Sequence, residues 1–189
     1  MRTAAAAIAA AIASAERLAD RAVHIAGLAL APIAVAALVA VALRHGGPRA
    51  VVGVAVYGAG LLMMLTCSAL YNLRIDSPRR EWLRRLDHAA IYVMIAGTYT
   101  PFTLLWLPPD WGWAFCLGVW AVALAGAAVK IAWPRRLERL SIALYLALGW
   151  SILLVIEPML ASLGVVSGML LLAGGILYSV GVLFHLSRR

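Results

Sequence analysis

Val51–Asn72 reads VVGVAVYGAGLLMMLTCSALYN, 22 residues without a charged side chain, and is followed almost at once by Arg74–Arg85, RIDSPRREWLRR. About 20 apolar residues in helical form cover the hydrocarbon core of a bilayer. Backbone inside that core has to satisfy its own hydrogen bonds, so a helix is the only reading for such a run. Working outward, five similar runs follow the same rule: Ile25–Leu43, Ala89–Leu107, Trp111–Ala132, Leu140–Ala161 and Val165–Leu186. His45-Gly46-Gly47-Pro48 and Leu107-Pro108-Pro109-Asp110 between them are turn chemistry, whereas Arg74–Arg85 and Trp133–Arg139 are charged connections that water must reach. The fold class is therefore all-α, a polytopic transmembrane helix bundle of about six spans. Residues 1–24 form an N-terminal interfacial segment, 25–186 the bundle and 187–189 a short tail.

The chain has 189 residues, 65% hydrophobic and 13% charged. A soluble domain carries roughly 45–50% and about 25%, so water is the wrong solvent for this one. A formal net charge of +8 invites a nucleic-acid reading, but the basic residues sit in short clusters between apolar runs and make no continuous face. The expected partners are membrane lipids with anionic headgroups, and no nucleic acid. Cys67 and Cys116 both lie inside apolar runs and make no metal or redox pair by spacing. The opening MRTAAAAIAAAIASA imitates a secretory signal. Alanine is only weakly hydrophobic, however, and Arg17 and Arg21 would have to cross the membrane, so an interfacial helix is the expectation.

Orientation follows from the count of basic residues, which accumulate on the cytoplasmic side of short loops. Fourteen of the sixteen lie in or beside the N-terminal segment, the second and fourth loops and the C-terminus, and the third and fifth loops hold none. Six spans with both termini cytoplasmic, in the cell inner membrane, satisfy that asymmetry. Trp106, Trp111 and Trp113 flank the outer third loop, and Trp82 and Trp133 mark inner boundaries.

Candidate chemistry gathers at the inner end. Ser68 and Asn72 are one helical turn apart on one face. Across a short loop, Arg85-Leu86-Asp87-His88 carries a carboxylate and an imidazole into the membrane boundary. Ionisable groups there are costly and are functional candidates by default. The plainer reading is that Asp87 pairs with Arg84 or Arg85, or caps the third helix. In the last run Gly174, Tyr178, Gly181 and His185 recur at helical spacing and form a groove leading to an imidazole, which also serves if it only reaches the headgroups. Ala96–Phe102 brings small residues and Pro101 to a helix contact near the outer face. Glu157, beside Pro158 near the outer interface, is expected to be solvated and without chemistry. No polar stripe runs through the membrane on any helix, which favours a one-sided site over a channel.

The stretches Arg85-Leu86-Asp87-His88-Ala89-Ala90-Ile91-Tyr92 and Ala96-Gly97-Thr98-Tyr99-Thr100-Pro101-Phe102 resemble the haemolysin III family, bacterial relatives of the progestin and adiponectin receptors. Asp20–Gly27, Ser68–Asn72, Leu146–Trp150 and Gly174–Gly181 extend the likeness over roughly residues 17–186. The resemblance implies seven helices with the N-terminus inside, and for many members a zinc-dependent membrane hydrolase with its metal near the cytoplasmic face. In the family pattern one histidine four residues after the second-helix serine and two on the seventh helix hold the zinc, and an aspartate opening the third helix orients its water. Carried over, Asp87 matches that aspartate and Ser68 the serine, so both are the catalytic candidates. Asn72 stands where the first histidine belongs, and the chain stops at His185-Leu186-Ser187-Arg188-Arg189, where a seventh helix should follow. The zinc ligand set is thus incomplete. His88 and His185 join Asn72 as the remaining candidates to substitute, with nothing in their spacing to specify it.

Three functions stay open beside the reading of a truncated, inactive member. One is a metal-dependent lipid or amide hydrolase, with Asp87 positioning water and Ser68 supporting it. Another is the cytolytic, membrane-perturbing role in the family's name, which needs a continuous polar path that only a homo-oligomer would complete. The third is a non-catalytic role in lipid homeostasis or membrane integrity, which asks only for packed helices and a polar inner pocket.

Overall fold

The structure, a computed structural model, describes the backbone of residues 2–133 and 138–187, with side chains over 10–133 and 138–184 apart from 13 and 139. Helices α1 (Arg2–His45), α2 (Gly47–Leu73), α3 (Arg80–Trp106), α4 (Pro109–Ala132) and α5 (Glu138–Trp150) are followed by a 3₁₀ turn, Ser151–Val155, and by α6 (Ile156–Ser187). The breaks fall where the backbone demands them. Gly47 turns the chain between α1 and α2 at φ +67°, and Pro48 and Pro109 stand in the first turns of α2 and α4, where a missing N–H costs nothing. Helix α1 is continuous through the junction of residues 24 and 25 and is about 66 Å long at 1.5 Å per residue, twice what a hydrocarbon core requires.

Among the described residues five helical stretches are long and apolar enough to cross a membrane, against the six runs expected. The fifth, Leu140–Phe184, is 45 residues long and holds the last two expected runs, which meet at Gly164. Its only departure from helical backbone within α6 is Gly164, at φ +76° and ψ 166°. The stretch is folded double there. Trp150 Nε1 donates to Ser179 Oγ at 3.0 Å, and Cβ atoms placed on Gly149 and Gly168 would meet Tyr178 and Leu160. Partners thus lie about equally far before and after residue 164. Only glycine holds that conformation without strain, so Gly164→Ala is expected to cost roughly 1–3 kcal/mol. Thermal unfolding in detergent followed by tryptophan fluorescence reads it, and an unchanged midpoint would mean that the reversal does not depend on Gly164.

Packing is inverted relative to a soluble protein. The most exposed side chains include Leu154 at 80%, Val166 at 73% and Leu177 at 72%, while Ala96 and Ala123 are at 0%. Lipid tails are as apolar as leucine, so helix contact comes from small residues that let backbones approach. Gly53 lies against the backbone of Pro101, Gly60 and Gly97 meet across α2 and α3, and Gly126 of α4 lies against the ring of Tyr92. Tyr92 and Tyr145 pack with centroids 4.4 Å apart at the centre of the buried cluster.

Candidate functional site

Antiparallel α1 and α2 set His24 beside Ser68, just as Gly27 sits beside Leu65 and Val35 beside Gly58. The turn at residues 74–79 then returns the chain as α3, whose third turn carries Asp87 to the same depth. Helix α3 begins at Arg80, nine residues before the apolar run it contains, so Asp87 is no N-terminal cap. Nor is it needed by the neighbouring arginines. Glu81 takes Arg84 through two hydrogen bonds, at 2.8 and 3.3 Å, and lies 3.9 Å from Arg85, whose other nitrogen caps the Ile131 carbonyl of α4 at 3.0 Å. Asp87 instead lines the same chamber as Ser68 and His24.

His24 Nε2 is 3.3 Å from Ser68 Oγ and 3.4 Å from Asn72 Nδ2. The Asn72 amide also donates to the Ser68 carbonyl at 2.9 Å and to Ser68 Oγ at 3.3 Å. Ser68, Asn72 and Asp87 thus share one cluster. His88 lines the adjoining chamber, and its main-chain carbonyl accepts from the Tyr145 hydroxyl at 2.9 Å. His185 belongs to α6, but its side chain lies outside the described residues.

The chamber has a volume of about 580 Å³ and lies toward the end of the bundle that carries the arginine-rich turn between α2 and α3. His24, Ser68, Asp87 and His88 line it, joined by Lys130 from α4 and by Glu138 and Ser141 from α5. Lys130 is only 2% exposed. It stands in the last turn of α4, where the C-terminal end of the helix favours a positive charge. Tyr178 stands between this chamber and a second, apolar cavity of about 290 Å³, its hydroxyl buried and without a hydrogen-bond partner. His24, Lys130, Glu138 and Ser141 were not singled out from the sequence. Two of them had a signal there, since His24 and Lys130 are lone ionisable groups within or beside apolar runs.

Zinc does not fit the described residues. No group of three or more His, Cys, Asp or Glu side chains among them is placed to hold a metal. The cluster offers one imidazole, one carboxylate, one hydroxyl and one amide, and the amide nitrogen is engaged by Ser68, where a catalytic zinc site needs three strong ligands.

Comparison with known proteins places this geometry in context. The family profile described as Haemolysin-III related matches residues 18–189. The chain is 40% identical over 172 residues to Hemolysin-3 of Bacillus cereus, covering 90% of this chain and 78% of that one. It is 35% identical over 174 residues to the Hemolysin-3 homolog of Bacillus subtilis (strain 168), covering 92% and 82%. No solved structure matches.

Proposed function

From the premise that the chain belongs to the haemolysin-III related family and is a multi-pass membrane protein, we propose that it admits the polar end of a membrane lipid into the chamber at its arginine-rich end, and that this end faces the cytoplasm. One observation carries the reading. A chamber of about 580 Å³, within the usual range of small-molecule sites, gathers His24, Asp87, Lys130 and Glu138 inside helices that are otherwise apolar. Lys130 supplies a cation for a headgroup, and the arginines of the 74–85 segment attract anionic lipid to the mouth. The cell inner membrane, with both ends of the chain cytoplasmic, is the setting that this distribution of charge favours.

Lipid that survives purification tests this directly. The protein extracted in mild detergent is expected to retain about one lipid per chain, and Lys130→Met to retain several-fold less, since each 1.4 kcal/mol of lost affinity is about tenfold. Equal retention by Lys130→Met and by the distant Ser162→Ala would count decisively against the chamber.

The name of the Bacillus cereus relative supports a second reading, permeabilisation of membranes. That activity needs a polar path from face to face, and here the ionisable side chains of the chamber lie toward one end while Ala96, Ala123 and Val119 close the interior of α3 and α4. Vesicles filled with a self-quenched dye distinguish the two, with no release expected from the reconstituted protein.

A further inference from the structure

The arginines where α2 gives way to α3 fall into two groups. Arg84 and Arg85 are half-buried and share Glu81, at 2.8 and 3.9 Å. Arg74, Arg79 and Arg80 are exposed, and among the described residues none of them forms an ion pair, even with Asp76 on the same turn. Arg80 lies with its guanidinium 5.6 Å from the ring centroid of Tyr71 on α2, a contact that fixes its direction without neutralising its charge. The turn keeps its shape from within. The Arg74 carbonyl accepts from the Ser77 N–H at 3.2 Å, the Ser77 carbonyl from the Arg80 N–H at 3.0 Å, and Ser77 Oγ from the Arg79 N–H at 3.2 Å. A cationic surface built on a fixed turn loses less freedom on taking an anion than one on a loose loop. Apolar side chains stand exposed beside it, Ile75 on the turn and Trp82 and Leu86 on α3. Arg79, Trp82 and Leu86 follow one another at intervals of three and four residues, so they lie along one side of the helix. Charge therefore gives way to apolar surface within two turns of α3, and tryptophan is favoured at that boundary between headgroups and acyl chains.

We propose that this face holds one anionic phospholipid of the surrounding leaflet, with its phosphate on Arg74, Arg79 and Arg80 and its glycerol and upper acyl chains along Trp82 and Leu86. Arginine suits a phosphodiester because its planar fork donates two parallel N–H bonds to it. Free phosphate would use the arginines and leave the exposed apolar residues idle, and an acidic peptide would have to follow them to Leu86, the residue before chamber-lining Asp87. A lipid satisfies both halves of the surface. None of the arginines or apolar residues of this face lines the chamber, so the site is separate from the one inside the bundle and stands whether or not the chamber takes a lipid.

Lipid titration tests the site. The full chain in mild detergent receives phosphatidylglycerol or, separately, phosphatidylcholine, and bound lipids are counted by native mass spectrometry. The expected result is one phosphatidylglycerol held several-fold more tightly than phosphatidylcholine. In Arg79→Gln/Arg80→Gln the affinity for phosphatidylglycerol should fall about tenfold. Arg44→Gln/Arg49→Gln, which removes the same charge at the other end of the bundle, should leave it unchanged. Trp82→Ala should weaken both lipids, and the acyl-free headgroup glycerophosphoglycerol should not bind where the lipid does. Variants are compared only where they elute as the wild type does. A wild type without preference for phosphatidylglycerol overturns the proposal whatever the variants do. Equal losses in the two double variants overturn it by assigning the preference to net charge, and acyl-free headgroup binding as tightly as lipid overturns it in favour of a bare phosphate site. Loss in Lys130→Met without loss in Arg79→Gln/Arg80→Gln places the lipid in the chamber, which supports the function proposed above and sinks the surface site.

Discussion

Gly126→Leu is expected to produce the largest loss of stability of any single substitution considered for this bundle. A Cβ at position 126 would lie 2.4 Å from one Tyr92 ring carbon and 2.5 Å from another, with no flexible end of a side chain to move away. Tyr92 is 1% exposed and is held from its other side by Tyr145. The ring therefore cannot yield without displacing the centre of the buried cluster, which joins α3, α4 and α5. Overpacking a tight core costs about 1–3 kcal/mol and occasionally more, and a branched side chain at this position belongs at the upper end. The unfolding midpoint in detergent should fall by several degrees, and chamber residues that share the cluster, Tyr145 above all, should lose their positions. An unchanged midpoint would mean that α4 can slide away from α3, contrary to the close contact seen here. Gly118, where an added Cβ meets nothing, is the matched control.

Tyr99→Phe is expected to follow closely, through hydrogen bonding in place of packing. The Tyr99 hydroxyl donates toward the carbonyls of Leu148 and Gly149, at 2.8 and 3.0 Å, and accepts from the Ile152 N–H at 2.8 Å. Ser151 Oγ adds a contact at 3.1 Å. This one oxygen thus serves the backbone where the regular helix stops at Trp150 and the 3₁₀ turn begins. Phenylalanine keeps the ring and removes the oxygen, leaving a backbone N–H without its partner in a setting where water does not replace it. Each buried group so stranded costs roughly 1–3 kcal/mol. Hydrogen exchange at the Ile152 amide is the specific readout: it should speed up in the variant, whereas an unaltered rate would show that another group takes over the role of the hydroxyl.

The two results depend on features of different legibility. Pro101 and the small residues around it were read from the sequence as a helix contact, and Gly53 does pack against Pro101. Nothing in Tyr99 announced that its hydroxyl serves a helix break 50 residues later in the chain. Likewise Ser68 and Asn72 were readable as neighbours because they are one turn apart on α2, and Asp87 because a short loop returns it to the same end. His24 was missed, although its stretch Asp20–Gly27 contributed to the family likeness, because its partner is 44 residues away on another helix.

Sequence alone determined the solvent, the helical class, the approximate spans, the family and the end of the bundle where charge collects, since each of these depends on composition and order along one helix. Only the tertiary structure decided how the last two apolar runs pack against each other across Gly164, that Glu81 rather than Asp87 takes the neighbouring arginines, and that His24 and Lys130 join Ser68 and Asp87 around one chamber. The physical reason is the bilayer itself. In water the apolar face of a helix points inward and the pattern reveals it; in lipid both the buried and the exposed faces are apolar, so which residues meet is settled by the close packing of glycine, alanine and tyrosine between helices.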